Sequence, residues 1–137
     1  MYMSIHIDIK VEKNGIPKKL RRLASEMQNG FYSAFAKIAA RLELEQKIMS
    51  PVDTGKLRAS IEEKARAFGV DGIATAHSPT GYDYARINHD GGIGTGYYGP
   101  HAIPGRKYMT IPLEKSIPYV IKELDIEVKA IIARCGL

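Results

Sequence analysis

Three groups of residues in this chain are of types that chemistry uses. Asp53-Thr54-Gly55 is the triplet found in aspartic proteases, whose reaction needs two carboxylates sharing one proton. A single copy would require a homodimer. A cation at Lys56 also suits an apolar protease cleft poorly, and the triplet follows a helical pattern, not an all-β one. The second group is His77, Asp83, His89, Asp90 and His101, residue types that bind zinc or manganese. A metal-dependent nuclease would hold such ligands rigidly beside a basic groove. Here His89, Asp90 and His101 stand in or beside a glycine-rich stretch with no fixed spacing, so they read as solvated loop residues. The third group is the glycine-rich stretch itself. A phosphate-binding loop ends in Gly-Lys-Ser/Thr and enters a helix, whereas Gly105-Arg106-Lys107-Tyr108 is expected to lead into a strand. Ser60 and Ser78 show no His/Asp partners in a convincing arrangement. No catalytic residue, metal or cofactor is assigned, and the chain is not expected to be an enzyme.

The elements that position these residues follow from periodicity. Residues 4–12 alternate: Ile5, Ile7, Ile9 and Val11 face one way and His6, Asp8 and Lys10 the other, as in a half-buried strand. Asn14-Gly15 ends it. Over residues 18–48, Leu20, Leu23, Met27, Phe31, Phe35, Ile38 and Leu42 form one helical stripe. Pro17 suits the first turn. Gly30 should weaken that helix by about 1 kcal/mol relative to alanine, and marks either a kink or a close contact. Residues 50–56 form a turn, in which Asp53 or Thr54 could cap a short helix over Lys56–Ile61. Strands are expected at Glu63–Phe68, Ile73–His77, Tyr84–Asn88 and near Lys107–Thr110, with Gly69–Gly72 as a hairpin turn. Ile117, Val120, Ile121, Leu124, Val128, Ile131, Ile132 and Cys135 make a final helical stripe closed by Gly136. Pro118 would fit its first turn and Ser116 its cap. Cys135 continues the stripe and reads as packing. The expected fold is α+β: a small, mainly antiparallel sheet packed against two long amphipathic helices in one domain over residues 1–137.

Residues 89–105 hold six glycines in seventeen positions, interrupted by Tyr97, Tyr98, Pro100 and Pro104. So long a loop is uncommon in a compact domain unless it works. A flexible loop that orders on docking fits, with Tyr97 and Tyr98 as anchors.

Composition bounds the partners. The 137 residues carry a net charge of +5, with 13 Lys/Arg against 8 Asp/Glu in residues 1–68 and 7 against 7 in residues 69–137. The charge therefore lies in the first half. Lys18, Lys19, Arg21 and Arg22 open the long helix, where cations oppose the helix dipole. Helix stability does not explain them; DNA or an acidic partner would. One cysteine excludes an internal disulfide and fits assembly in the cytosol. No signal peptide or membrane span is expected.

The segment Ser50-Pro51-Val52-Asp53-Thr54-Gly55-Lys56-Leu57-Arg58-Ala59-Ser60-Ile61 resembles the signature of the tail-completion, or head–tail joining, family of long-tailed bacteriophages and prophages. Tyr84-Ala85-Arg86-Ile87-Asn88-His89-Asp90-Gly91-Gly92 and the Ala102–Met109 stretch are similar to two later family segments. His89 or Asp90 stands where the family usually has glutamate, and Gly105-Arg106-Lys107-Tyr108 where a Pro-Phe pair is usual. The resemblance covers residues 15–135. It implies a structural virion protein in a homo-oligomeric ring, usually a hexamer, at the head–tail junction. Its neighbours would be neck or connector proteins and the tail tube, with non-specific contact to passing DNA. It would be assembled in the host bacterial cytoplasm, away from any membrane. The motif residues are Pro51, Val52, Asp53, Thr54, Gly55, Leu57, Arg58 and Ser60. The assembly loop takes in Tyr84, Gly91, Gly92, Tyr97, Tyr98 and Pro104. The alternatives are a non-specific DNA-binding protein and, further off, a metal-dependent nuclease.

Overall fold

The computed structural model describes residues 1–8, 18–51, 55–77, 83–96 and 99–136. Strand β1 (Tyr2–His6) is followed by helix α1 (Lys18–Met49), the short helix α2 (Lys56–Ser60), and strands β2 (Glu62–Arg66) and β3 (Gly69–Ile73). Helix α3 (Tyr84–Asp90), strands β4 (Gly92–Gly96) and β5 (Gly99–Ile103), and helix α4 (Thr110–Cys135) complete the order. The α+β class expected from periodicity is the class observed.

Strand β3 is the centre of an antiparallel sheet with order β1-β3-β2. Ser4 and Lys64 both lie opposite Asp71, and Ile5 and Ala65 both lie opposite Val70. The register sends Met3, Ile5, Ala65 and Val70 inward and leaves Tyr2, Ser4, His6, Lys64 and Arg66 on the other face, the period-two sorting of a one-sided sheet. The alternation read at residues 4–12 is present, but its strand starts two residues earlier. Ile9, Val11, Asn14, Gly15 and Pro17 lie outside the described residues.

Helix α1 is the central element. Its buried stripe Phe31, Phe35, Ile38 and Leu42 meets β2 and β3 on one side and α4 on the other. Phe35 and Leu42 are wholly buried. One core joins Phe31, Phe35, Ile38 and Ala39 to Val70, Val120, Ile131 and Cys135. A second, beneath the short helices, joins Leu57, Ile61, Ala74, Ala76, Ala85, Tyr108 and Met109. Rising residue numbers on α1 meet falling numbers on α4: Glu26 lies 3.5 Å from Arg134, Gly30 lies beside Glu127 and Ile131, and the Arg41 guanidinium stacks 4.0 Å from the Tyr119 ring centre. The two helices are therefore antiparallel. A Cβ at Gly30 would press into Glu127 and Ile131, so this glycine marks a close helix contact.

Several expectations require correction. Gly69–Gly72 is not a turn but most of β3, and the reversal falls at Ala67-Phe68. Gly69 is required by proximity, since a Cβ there would collide with the Ile5 carbonyl oxygen; one at Gly72 would meet the Glu63 carboxylate, the movable end of a side chain. Of the expected strand Ile73–His77 only Ile73 is in a strand. Tyr84–Asn88 is helical, because Asp83 Oδ1 accepts the Arg86 N–H at 3.0 Å and caps it, and because Ala85 and His89, one turn apart, are the buried pair. Lys107–Thr110 is no strand; Lys107 takes a positive φ of 47° and the chain turns directly into α4. That helix starts at Thr110, six residues before the expected cap. Pro112 takes the first-turn place expected for Pro118, which lies inside the helix, and buried Ser116 donates its hydroxyl to the Leu113 carbonyl at 2.7 Å. Gly136, at φ 66°, closes the helix as expected.

The close approach of β3 to β1 gives a test. Gly69→Ala adds a single methyl against backbone that cannot swing away. It is expected to cost about 1–3 kcal/mol, read as a lower urea midpoint with unchanged slope; a wild-type midpoint would contradict the tight contact.

Candidate assembly interface

The stretch after α1 ties three elements together. Ser50, nearly fully buried, donates its hydroxyl to Lys47 O at 2.8 Å and receives Arg58 on its own carbonyl at 3.4 Å. Gly55 has φ 79° and stands at the cap position of α2 without a side-chain cap bond. That left-handed backbone is one an L side chain resists. Leu57 is buried, and Ser60 Oγ donates to Leu57 O at 2.8 Å while accepting Thr75 N–H at 3.3 Å. Gly55, Leu57, Arg58 and Ser60 therefore join the end of α1 to α2 and to the segment that leaves β3. Pro51 is half-buried. Val52, Asp53 and Thr54 lie outside the described residues, and with them the expectation that Asp53 or Thr54 caps α2. Arg58 Nε is buried without a hydrogen-bond partner among the described residues.

The glycine-rich stretch is not without structure. β4 and β5 pair antiparallel, Gly92 opposite Ile103 and Gly96 opposite Gly99. The hairpin is rooted on the end of α3. The last helical carbonyls need donors, and three arrive from the hairpin's two ends: Gly91 N–H to Ile87 O at 2.8 Å, Arg106 N–H to Asn88 O at 3.0 Å, and Lys107 N–H to His89 O at 2.9 Å. Gly91 has φ 87°, and a Cβ at Gly105 would strike the Asp90 backbone. Tyr84 is half-buried, Pro104 and Ile93 are exposed, and Tyr97 and Tyr98 lie outside the described residues.

His89 departs most from its expected state as a solvated loop residue. It is 3% exposed, and its ring spans two elements. Nδ1 lies 2.6 Å from Asp90 Oδ1, and Nε2 lies 2.9 Å from Thr110 Oγ1 and 3.3 Å from Thr110 N. A backbone N–H can only donate, so Nε2 is the bare nitrogen and Nδ1 carries the proton towards Asp90. The order Asp90–His89–Thr110 copies the polarity of a nucleophile relay, but here Nε2 is occupied by the first N–H of α4. His89 thus supplies the cap that Met109 does not. Tyr108 completes the fastening: its hydroxyl donates to Ala85 O at 2.6 Å, its ring meets His89 edge-on at 5.4 Å, and burial raises its pKa far above the ordinary phenol value. Sequence spacing missed this unit, since it pairs His89 with a residue 21 positions away; the Asp83 cap signal was the one legible trace.

The residues weighed as metal ligands do not converge. His77 lies 3.8 Å from Asp83, while His89 faces Asp90 and Thr110, and the described residues contain no group of three ligand-type side chains. The His101 side chain lies outside the described residues.

Two charged surfaces complete the site. Lys18, Lys19, Arg21 and Arg22 are all exposed. Because Glu26 already meets Arg134 near the end of α4, the first turns of α1 run about one and a half turns beyond that helix. Among the described residues none of these four cations has an ion pair. On the outer sheet face, Asp71 gathers donors from both neighbouring strands. Arg66 Nε donates to Oδ2, the Tyr2 hydroxyl donates to Oδ1 at 2.9 Å, and His6 Nε2 lies 2.9 Å from Oδ1. The Arg66 hydrogen bond holds this carboxyl below its ordinary range. On the inner face, burial raises Glu63 from 4.5 to about 7, with the Glu43 and Asp71 carboxylates adding to it and Gln46 opposing.

Comparison with protein-family models, with curated proteins and with solved structures finds no match. No described helix is long and apolar enough to cross a membrane.

Two measurements probe this site. His89→Ala should release the hairpin first: hydrogen exchange at residues 92–103 is expected to accelerate while the middle of α1 keeps its protection, and uniform acceleration would mean that His89 stabilises the whole fold instead. Glu63 keeps its proton in the folded state above the pH at which the unfolded chain loses it. Stability should therefore fall as pH rises from about 4.5 to about 7. Glu63→Gln should flatten that stretch of the stability–pH curve; an unchanged curve would assign the dependence elsewhere.

Proposed function

We propose that this chain is a structural subunit of the ring at the head–tail junction of a tailed bacteriophage or prophage, joining or completing the tail so that DNA can pass. The reading is carried by the order Pro51-Val52-Asp53-Thr54-Gly55-Lys56-Leu57-Arg58-Ala59-Ser60, which resembles the signature of that family. What supports it physically is the use made of this segment: Gly55, Leu57, Arg58 and Ser60 fix the joint between the long helix and the sheet. A glycine hairpin clamped at its base is a suitable contact for a neighbouring subunit, since a two-stranded ribbon has unpaired edges to offer. The buried cap made by His89 favours a structural over a catalytic use of the one relay-like cluster.

A second reading, non-specific DNA binding, is favoured by the four exposed cations on the overhanging end of α1. The two are compatible, because a ring through which DNA passes gains from a basic lining.

Particles assembled without this protein should accumulate as filled heads and finished tails that stay unjoined when imaged by electron microscopy. Normally joined, infectious particles would refute the reading.

A further inference from the structure

Helix α1 carries a second apolar row that no described residue covers. Tyr32, Ala36, Ala40, Leu44 and Ile48 recur every four residues and are all exposed, Tyr32 by 54%, Leu44 by 59% and Ile48 by 67%. They form one continuous ridge on the side of α1 turned away from its buried stripe. Helix α4 carries a matching surplus. Ile117 and Ile121 belong to the stripe that periodicity assigns to the core, yet they are 49% and 63% exposed, because α1 covers only the edge formed by Val120, Ile131 and Cys135.

We infer that the Ile117–Ile121 row of one subunit packs on the Ala36–Ala40 row of the next copy. The inference rests on the oligomeric reading above and names its interface. Three observations select a second copy as the occupant. The first is size: two isoleucines one turn apart meet two alanines one turn apart, so bulky side chains enter the shallow part of the ridge between Tyr32 and Leu44. The second is charge. The isoleucine row is bounded one turn away on each side by acids, Glu114 and Asp125, and the alanine row is bordered by Lys37 and Arg41, all four exposed. Asp125 and Arg41 already have partners in Lys129 and Glu45, but Lys37 and Glu114 have no ion pair among the described residues. The third is geometry. The two rows lie on different helices of one chain, so each copy can offer one row and receive the other, a contact that can repeat head-to-tail from copy to copy.

The test uses the full chain with buried Cys135 replaced by alanine. Ala40→Cys is co-expressed with Ile117→Cys or with Ile121→Cys, and the product is oxidised. A disulfide between the two variants is expected in one of these mixtures, according to the helix direction, and none from Ala40→Cys alone. An Ile121→Glu chain, whose exposed side chain should leave folding intact, is expected to raise the concentration needed for association at least tenfold in sedimentation. If the wild type oligomerises but neither mixture cross-links, or Ala40→Cys links to itself, the interface is wrong while the ring reading stands. A wild type that stays monomeric at every concentration overturns both.

Discussion

The buried stripe Phe31, Phe35, Ile38 and Leu42 of α1 meets β2 and β3 on one side and α4 on the other. Helix α1 is therefore covered on two sides, and α4 supplies the second. Everything else depends on that arrangement. The sheet can be one-sided because α1 takes its apolar face. Helix α4 can come close because Gly30 has no side chain to hold it off. Leaving out a side chain at Gly30 weakens the helix locally, and the packing of Ile131 and Glu127 against its backbone offsets that cost.

The same logic governs the other end of the molecule. Helix α3 is only seven residues long and cannot be stable alone. It is held by its ends: Asp83 caps the start, three N–H groups from the hairpin's roots satisfy the last carbonyls, and His89 reaches to the first N–H of α4. A glycine-rich ribbon is thereby fixed at its base.

What is left uncovered is as orderly as what is buried. The cations of the first turns of α1 sit beyond the reach of α4, and the apolar rows on both long helices face outward. On the outer sheet face, by contrast, Asp71 gathers Arg66, Tyr2 and His6 around one carboxylate.

The sequence by itself determined the two long helices, the alternating first strand and the α+β class, because 3.6- and 2-residue periodicities survive over many residues. It also determined that Cys135 packs and that Gly136 ends a helix, both local matters. Only the tertiary structure decided the rest. Gly69 and Gly72 look like a turn in one dimension and are strand residues in three, and what demands glycine at Gly69 is the approach of the Ile5 backbone from elsewhere in the chain. Tyr84–Asn88 has no periodicity long enough to distinguish strand from helix, and the cap at Asp83 decided for helix. Thr110, which His89 holds at the start of α4, lies 21 residues away, so no spacing rule could place this histidine in the interior. Ile117 and Ile121 show the same limit from the other side: a stripe tells how wide an apolar face is, and only packing tells how much of it has been covered.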